Sequence, residues 1–180
     1  KFGDRMASEK TSLGAKSARG RRARILRAVE KAVGSSKKTD SLRMSRNFRH
    51  YERAGVIFVH VPKVAGISIS TALYGRSLGH FQADQLQAKN PLLFDRLPTF
   101  GVVRNPIDRL RSSYQFSSTG GTDAAWSRSD DRYELESFST IDRFLAEWLP
   151  KFEVDTLNKV FWPQSTFLVG GQGLLVDRVF

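Results

Sequence analysis

Apolar and polar positions along this chain follow two periods, one of strands and one of helices. Val56-Ile-Phe-Val-His-Val61 is a short, β-branched apolar run, as expected of a buried parallel strand. Pro62 ends it, and small residues lead into a helix predicted from about Ile67 to Tyr74. A second apolar run, Thr99-Phe-Gly-Val-Val103, stops abruptly at Arg104-Asn105-Pro106. A helix is expected to follow, with Ile107, Leu110, Tyr114 and the stem of Arg111 on its inner face. Phe138–Leu149 has helical periodicity through Ile141, Phe144, Leu145 and Trp148, and reads as a core face rather than a ligand box. Two short strands, Thr166–Val169 and Leu174–Phe180, are predicted to flank Gly170-Gly-Gln-Gly173. Strand, helix, strand, helix implies an α/β layered fold with a mostly parallel sheet.

The N-terminal third has a different pattern. Residues 1–16 are a polar lead, and Ser17–Val33 reads as a basic amphipathic helix with Ile25, Ala28, Val29, Ala32 and Val33 at helical spacing and Gly34 as its stop. Ser35–Asp40 is a polar linker, and Gly120–Asp131 is a polar loop further on. Charge sharpens the division. Residues 1–53 hold 16 Lys/Arg against 5 Asp/Glu, whereas residues 54–180 hold 13 of each. The whole net charge of +11 therefore belongs to a basic arm, 1–53, attached to a neutral body, 54–180.

At 180 residues with 40% apolar and 11% aromatic content, the chain is long and apolar enough for one folded domain. It has no run of 18 apolar residues and no charged-then-apolar leader, so neither a membrane span nor secretion is indicated. The absence of cysteine excludes disulfides and thiolate metal sites and suits a reducing compartment. A cytoplasmic location is the resulting expectation. Three scattered histidines have no metal-ligand spacing, so no metal is expected.

The candidate chemistry sits where the strands end. A strand that stops at Pro62-Lys63-Val64-Ala65-Gly66-Ile67-Ser68 and opens a helix offers unpaired N–H groups and a positive dipole to an anion. Gly66 allows close approach of the backbone to a phosphate, Lys63 adds a mobile charge, and the Ser68 hydroxyl can donate. Taken alone, the same stretch is also an ordinary strand–helix turn with a solvated lysine. It is not a Walker A loop, because Gly-x4-Gly-Lys-[Ser/Thr] is absent. Arg104-Asn-Pro-Ile-Asp-Arg109-Leu-Arg111-Ser112 repeats the arrangement at the second strand end. Arg104 can fork to phosphate oxygens. Ser112 lies about two helical turns on, and meets the same ligand only if that ligand runs along the helix. The alternative for Arg104 and Arg109 is surface pairing with Asp108 or Asp95. Two basic turns facing one sheet edge suggest a ligand with two separate anionic groups.

On these residues the sequence resembles the sulfotransferase family, particularly its carbohydrate-type bacterial members. Phe58-Val-His-Val-Pro-Lys-Val-Ala-Gly-Ile-Ser-Ile69 is similar to the family's 5′-phosphosulfate motif, and Val102-Val-Arg-Asn-Pro-Ile-Asp-Arg-Leu-Arg-Ser-Ser-Tyr114 to its 3′-phosphate motif. Phe161-Trp-Pro-Gln164 and Leu175-Val-Asp-Arg-Val-Phe180 resemble weaker downstream segments. The resemblance implies an α/β, P-loop-NTPase-like three-layer fold over 54–180, C-terminally truncated relative to the family. It implies 3′-phosphoadenosine 5′-phosphosulfate as donor and a hydroxyl or amine acceptor, with a glycan expected. Lys63, Val64, Ala65, Gly66, Ile67 and Ser68 would hold the 5′-phosphosulfate, and Arg104 and Ser112 the 3′-phosphate. Lys63 would also stabilise the bridging oxygen as charge develops on it. Two motif threonines are replaced by Val64 and Ile67, which removes two hydroxyl donors.

A base must accept the acceptor's proton. His60, on the strand before the turn, reads as a packed, satisfied core histidine, and His50 as a solvated residue of the arm. His80, in Gly79-His-Phe-Gln-Ala83, sits where related sequences carry a Gly-His-x-x-Ala segment, and is the candidate base against the alternative of an exposed loop histidine. Asp84 is its nearby substitute. Two other readings stand beside sulfuryl transfer. One is a nucleotide-binding protein of the same fold with weak or no turnover. The other is a binder of nucleic acid or an anionic surface through residues 16–53, where aromatic interleaving is sparse (Phe48, Tyr51).

Overall fold

The computed structural model describes residues 39–120 and 131–180, and the chain divides into two units at Arg46 and Asn47. The helix predicted over Ser17–Val33 and residues 121–130 of the polar loop lie outside the described residues. Residues 39–54 are helical (α1). In the first unit, the Ser45 hydroxyl donates to the Ser41 carbonyl one turn back, at 3.0 Å.

In chain order the second unit continues with β1 (Ile57–Val59), α2 (Gly66–Tyr74), α3 (Ala83–Lys89), α4 (Pro91–Arg96), β2 (Thr99–Gly101) and α5 (Pro106–Ser118). Short helical turns then surround α6 (Ile141–Arg143), and α7 (Ser165–Leu168), β3 (Val169–Gly170), β4 (Gly173–Leu174) and β5 (Arg178–Val179) complete it. The architecture is α/β. A three-stranded sheet of order β1-β2-β5 is parallel throughout, and β3 with β4 forms a separate antiparallel hairpin.

The apolar run of β1 is buried on both faces, as its unbroken pattern predicts: Ile57, Phe58 and Val59 are all in the core. β1 is also a sheet edge, and α2 covers it with one hydroxyl. Tyr74, the last residue of α2, accepts from the Phe58 N–H at 2.8 Å and donates to the Val56 carbonyl at 3.2 Å. Burial pushes the Tyr74 phenol up to about 12, so it stays neutral and keeps both bonds. On the other side, Asp177 locks β5 to β2. Its carboxylate accepts from the Thr99 N–H and hydroxyl at 2.7 and 3.0 Å.

Residues 47–54 of α1 pack into this unit rather than standing with the basic arm. Tyr51 and Phe48 are buried, Tyr51 meets the Tyr74 ring edge-on at 5.3 Å, and the Asn47 amide donates to the Leu78 carbonyl at 2.8 Å. The two aromatics of that stretch are core residues of the second unit, which begins at Asn47.

Four sequence expectations are corrected. Ser165–Leu168 is a helical turn, with extended backbone only from Val169. A short apolar run does not distinguish helix from strand, and Phe167 and Leu168 reach the core from a single turn. The Leu174–Phe180 stretch breaks into β4 and β5, which belong to different sheets. On α5, Ile107 is exposed, whereas Arg109, Ser113 and Ser117 face inward. Leu110 and Tyr114 pack instead against an aromatic cluster of Phe138, Phe144, Trp148 and Phe161. Phe144 and Trp148 are buried there as predicted, but on a π-helical turn between α6 and a 3-10 turn, and Leu145 faces outward. Among the described residues no helix is long and apolar enough to cross a membrane.

Candidate functional site

Because β1 and β2 are parallel neighbours, with Ile57 opposite Thr99 and Val59 opposite Gly101, both turns leave the same edge of the sheet. The Pro62–Ser68 turn is the more unusual of the two. Lys63 and Ala65 both take positive φ, 70° and 62°, a conformation that costs a residue with a Cβ about 1–2 kcal/mol. Ala65, the N-cap of α2, is left-handed and Gly66 begins the right-handed helix. That alternation turns successive N–H groups to one side, the geometry of an anion-binding nest. The first backbone bonds of α2 are donated by Ser68 and Ile69 to the Ala65 carbonyl, at 3.1 and 3.4 Å. The N–H groups of Gly66 and Ile67 precede them, and no side chain caps this end.

The N-terminus of α5 is built differently. Asn105 accepts from the N–H groups of Ile107 and Asp108 at 3.0 and 3.3 Å, so this helix end is capped by its own chain. The second turn therefore offers the Arg104 side chain, not a row of amides.

Lys63 is not a solvated surface lysine. Its ammonium stands 4.2 Å from the centre of the Phe116 ring of α5, a cation–π contact that aims the side chain across the turn. Burial holds its pKa below the ordinary lysine value, and the charge of Arg104 adds to that depression. Two cations thus share one edge of the sheet at a Coulombic cost that an anion between them would relieve.

Gly66 has a reason for being glycine other than the one read from the motif. A Cβ there would lie 2.0 Å from Cδ2 and 2.2 Å from Nε2 of His60. The space beside its Cα is filled by the imidazole, not kept for a ligand. His60 is packed, as expected, but not satisfied: its Nδ1 has no hydrogen-bond partner among the described residues. Burial, with His80 beside it, pushes the imidazole down to about 3, so the ring is neutral. The His80 ring lies 4.1 Å from it, centre to centre. His80 Nδ1 is 3.1 Å from the His60 carbonyl, which can only accept. The proton is therefore on Nδ1, and in the neutral ring Nε2 carries the lone pair, the tautomer a base needs. Lys159 donates to the His80 carbonyl at 3.3 Å. Asp84 sits in the first turn of α3, where its carboxylate accepts from the Gln85 N–H at 2.7 Å.

The structure brings Lys63, Ala65, Gly66 and Arg104 to one sheet edge and joins His80 to it through His60. Ala65, Ile67 and Ser68 are exposed, whereas Val64 is buried with its side chain in the core, so Val64 can offer only its backbone. Ser112 is half-buried on α5, and its neighbour Ser113 is the one that turns fully inward. Among the described residues no group of three His, Cys, Asp or Glu side chains is arranged to hold a metal ion.

Arg109 departs most from expectation. It is 6% exposed and pairs with neither Asp108 nor Asp95. Its guanidinium donates to the carbonyls of Pro62 at 3.0 Å, Val160 at 3.1 Å and Trp162 at 2.8 Å. The Ser113 hydroxyl, one turn on, reaches the same Val160 carbonyl at 2.7 Å. Gln164 then pairs reciprocally with Arg104: the Arg104 N–H donates to its side-chain oxygen at 2.9 Å, and its amide donates to the Arg104 carbonyl at 2.8 Å. Arg109, Ser113 and Ser117 recur at i, i+4 and i+8, but the apolar positions 107, 110 and 114 form a competing stripe on the same helix, so the sequence did not single out this polar face.

No family model matches the chain, and no curated protein or solved structure matches it significantly.

Proposed function

We propose that this chain is a sulfotransferase that moves a sulfuryl group from 3′-phosphoadenosine 5′-phosphosulfate to a hydroxyl or amine of an acceptor, with a carbohydrate as the favoured acceptor class. The observation that carries the reading is the uncapped, nest-forming start of α2 with Lys63 and Arg104 electrostatically coupled beside it at one sheet edge. Two separated cationic elements suit a nucleotide charged at both its 5′ and 3′ positions. On this reading the parallel sheet and its flanking helices are the core of a P-loop-NTPase-like three-layer fold, working in the cytoplasm.

The donor supplies an electrophilic sulfur and a phosphate leaving group. The Gly66 and Ile67 N–H groups and Lys63 hold the 5′ end, and Lys63 neutralises the oxygen that gains charge as its bond to sulfur breaks. Arg104 and Ser112 hold the 3′-phosphate, so that remote binding orients the reacting end. His80 Nε2 takes the proton as the acceptor oxygen bonds to sulfur, leaving sulfated acceptor, adenosine 3′,5′-bisphosphate and an imidazolium. Transfer of labelled sulfate to a panel of glycans tests this. Lys63→Ala is expected to lower turnover by about 10²-fold or more, and no transfer by the unaltered chain to any hydroxyl or amine acceptor would sink the proposal.

A second reading, nucleotide binding without turnover, is favoured by one observation. Where the motif has hydroxyls, this chain has Val64 in the core and Ile67 exposed beside the nest. Tight binding of adenosine 3′,5′-bisphosphate without any transfer would select it.

A further inference from the structure

The two basic turns sit on different loops, and what fixes their spacing is a third segment distant in sequence from both. Val160 to Gln164 is gripped from one side by Arg109, which also holds the Pro62 carbonyl at the entrance to the α2 turn. From its far end, Gln164 grips the backbone of Arg104 through two antiparallel hydrogen bonds. One end of this strap is therefore tied to the first turn and the other to the second. Gln164 is half-buried and Arg104 exposed; Val103 before it is held by the Phe180 carbonyl at 2.8 Å, and the strap ties the backbone of Arg104 itself.

We propose that the Val160–Gln164 strap is a positioning device that sets the distance between the Pro62–Ser68 and Arg104 turns, and so selects a two-ended anionic ligand over one anionic at a single end. Gln164 and Arg109 are positioning residues, not catalytic ones. A side-chain amide suits the task because it offers one donor and one acceptor in a plane, matching the N–H and C=O of a single residue. The proposal rests on the reading of these turns as an anion site.

The test uses the full chain with Gln164→Ala and Gln164→Met, the second keeping the bulk while removing both bonds. Adenosine 3′,5′-bisphosphate and adenosine 5′-phosphate are titrated against each by calorimetry, and amide exchange at Arg104 is followed by NMR. Both variants are expected to bind the bisphosphate about tenfold more weakly, with binding of the monophosphate unchanged, as loss of two hydrogen bonds at one end predicts. The Arg104 amide is expected to exchange slowly in the unaltered protein and fast in both variants. Equal weakening of the two nucleotides, or wild-type affinity in Gln164→Met, would overturn the selection role. A fast-exchanging Arg104 amide in the unaltered protein would overturn the strap itself, with or without nucleotide binding. A protected amide in a chain that binds neither nucleotide would instead refute the anion-site reading and, with it, the strap's selective role.

Discussion

Gly66→Ala tests the contact on which the α2 turn is built. The added methyl would sit 2.0 and 2.2 Å from two atoms of His60, where ordinary contacts begin near 3.4 Å. Relief requires more than an ångström of movement by a ring that is 5% exposed, stacked on Phe58 and packed against the tilted His80 ring, or an equal shift of the helix start. Overpacking of this kind in a close-packed interior costs about 1–3 kcal/mol, and the depth of the overlap puts the expectation at the upper end. His60→Ala opens a cavity and is destabilising in its own right, but it removes the obstacle. In that background Gly66→Ala should be close to neutral, since the helix start no longer meets the ring and alanine is the better helix former by about 1 kcal/mol. A double-mutant cycle by urea denaturation should therefore give a coupling energy of about 2–3 kcal/mol between the two sites. Additive effects, within about 0.5 kcal/mol, would show that the ring does not fill the space beside Gly66 and would refute the explanation of that glycine.

Two further outcomes follow from buried groups. His60 takes a proton near 6.5 when unfolded but only near 3 in the fold, so below pH 6.5 the unfolded chain binds more protons and stability falls as pH falls, at up to about 1.4 kcal/mol per pH unit. Above pH 6.5 both forms are neutral and this contribution is flat. Between pH 7 and 5 the protein should lose about 2 kcal/mol more than His60→Leu does, and parallel pH profiles for the two by denaturant titration would contradict the assignment. Arg109→Met should cost about 3–5 kcal/mol, because the Pro62 and Trp162 carbonyls lose a charged donor that is itself buried. A thermal scan showing an unchanged midpoint would remove Arg109 from the framework of the site.

The order strand, turn, helix, twice over, was legible along the chain because it rests on local signals. An unbroken β-branched run, a terminating proline and small residues at a helix start each act within a few positions. Lys63 and Arg104 at strand ends, and His80 on the loop after α2, were legible for the same reason. That both turns share one edge was an expectation from the fold class, and the parallel register of Ile57 with Thr99 supplies it.

Other features had no local signature. The inward face of α5 is polar because carbonyls from 160 and 162, some fifty residues away, converge on Arg109 and Ser113. No periodicity of apolar residues can announce acceptors that another segment brings. Gly66 reads as a phosphate glycine in isolation and as a His60 glycine once the strand and helix meet. The Leu174–Phe180 run was divided between two sheets because Asp177 found Thr99 on a strand 78 residues earlier. Which residues can bear charge at this site was determined by the sequence alone. Which of them face one another, and which instead hold the frame, was decided by tertiary packing, because a buried charge must be satisfied by whatever groups the fold places within hydrogen-bond reach.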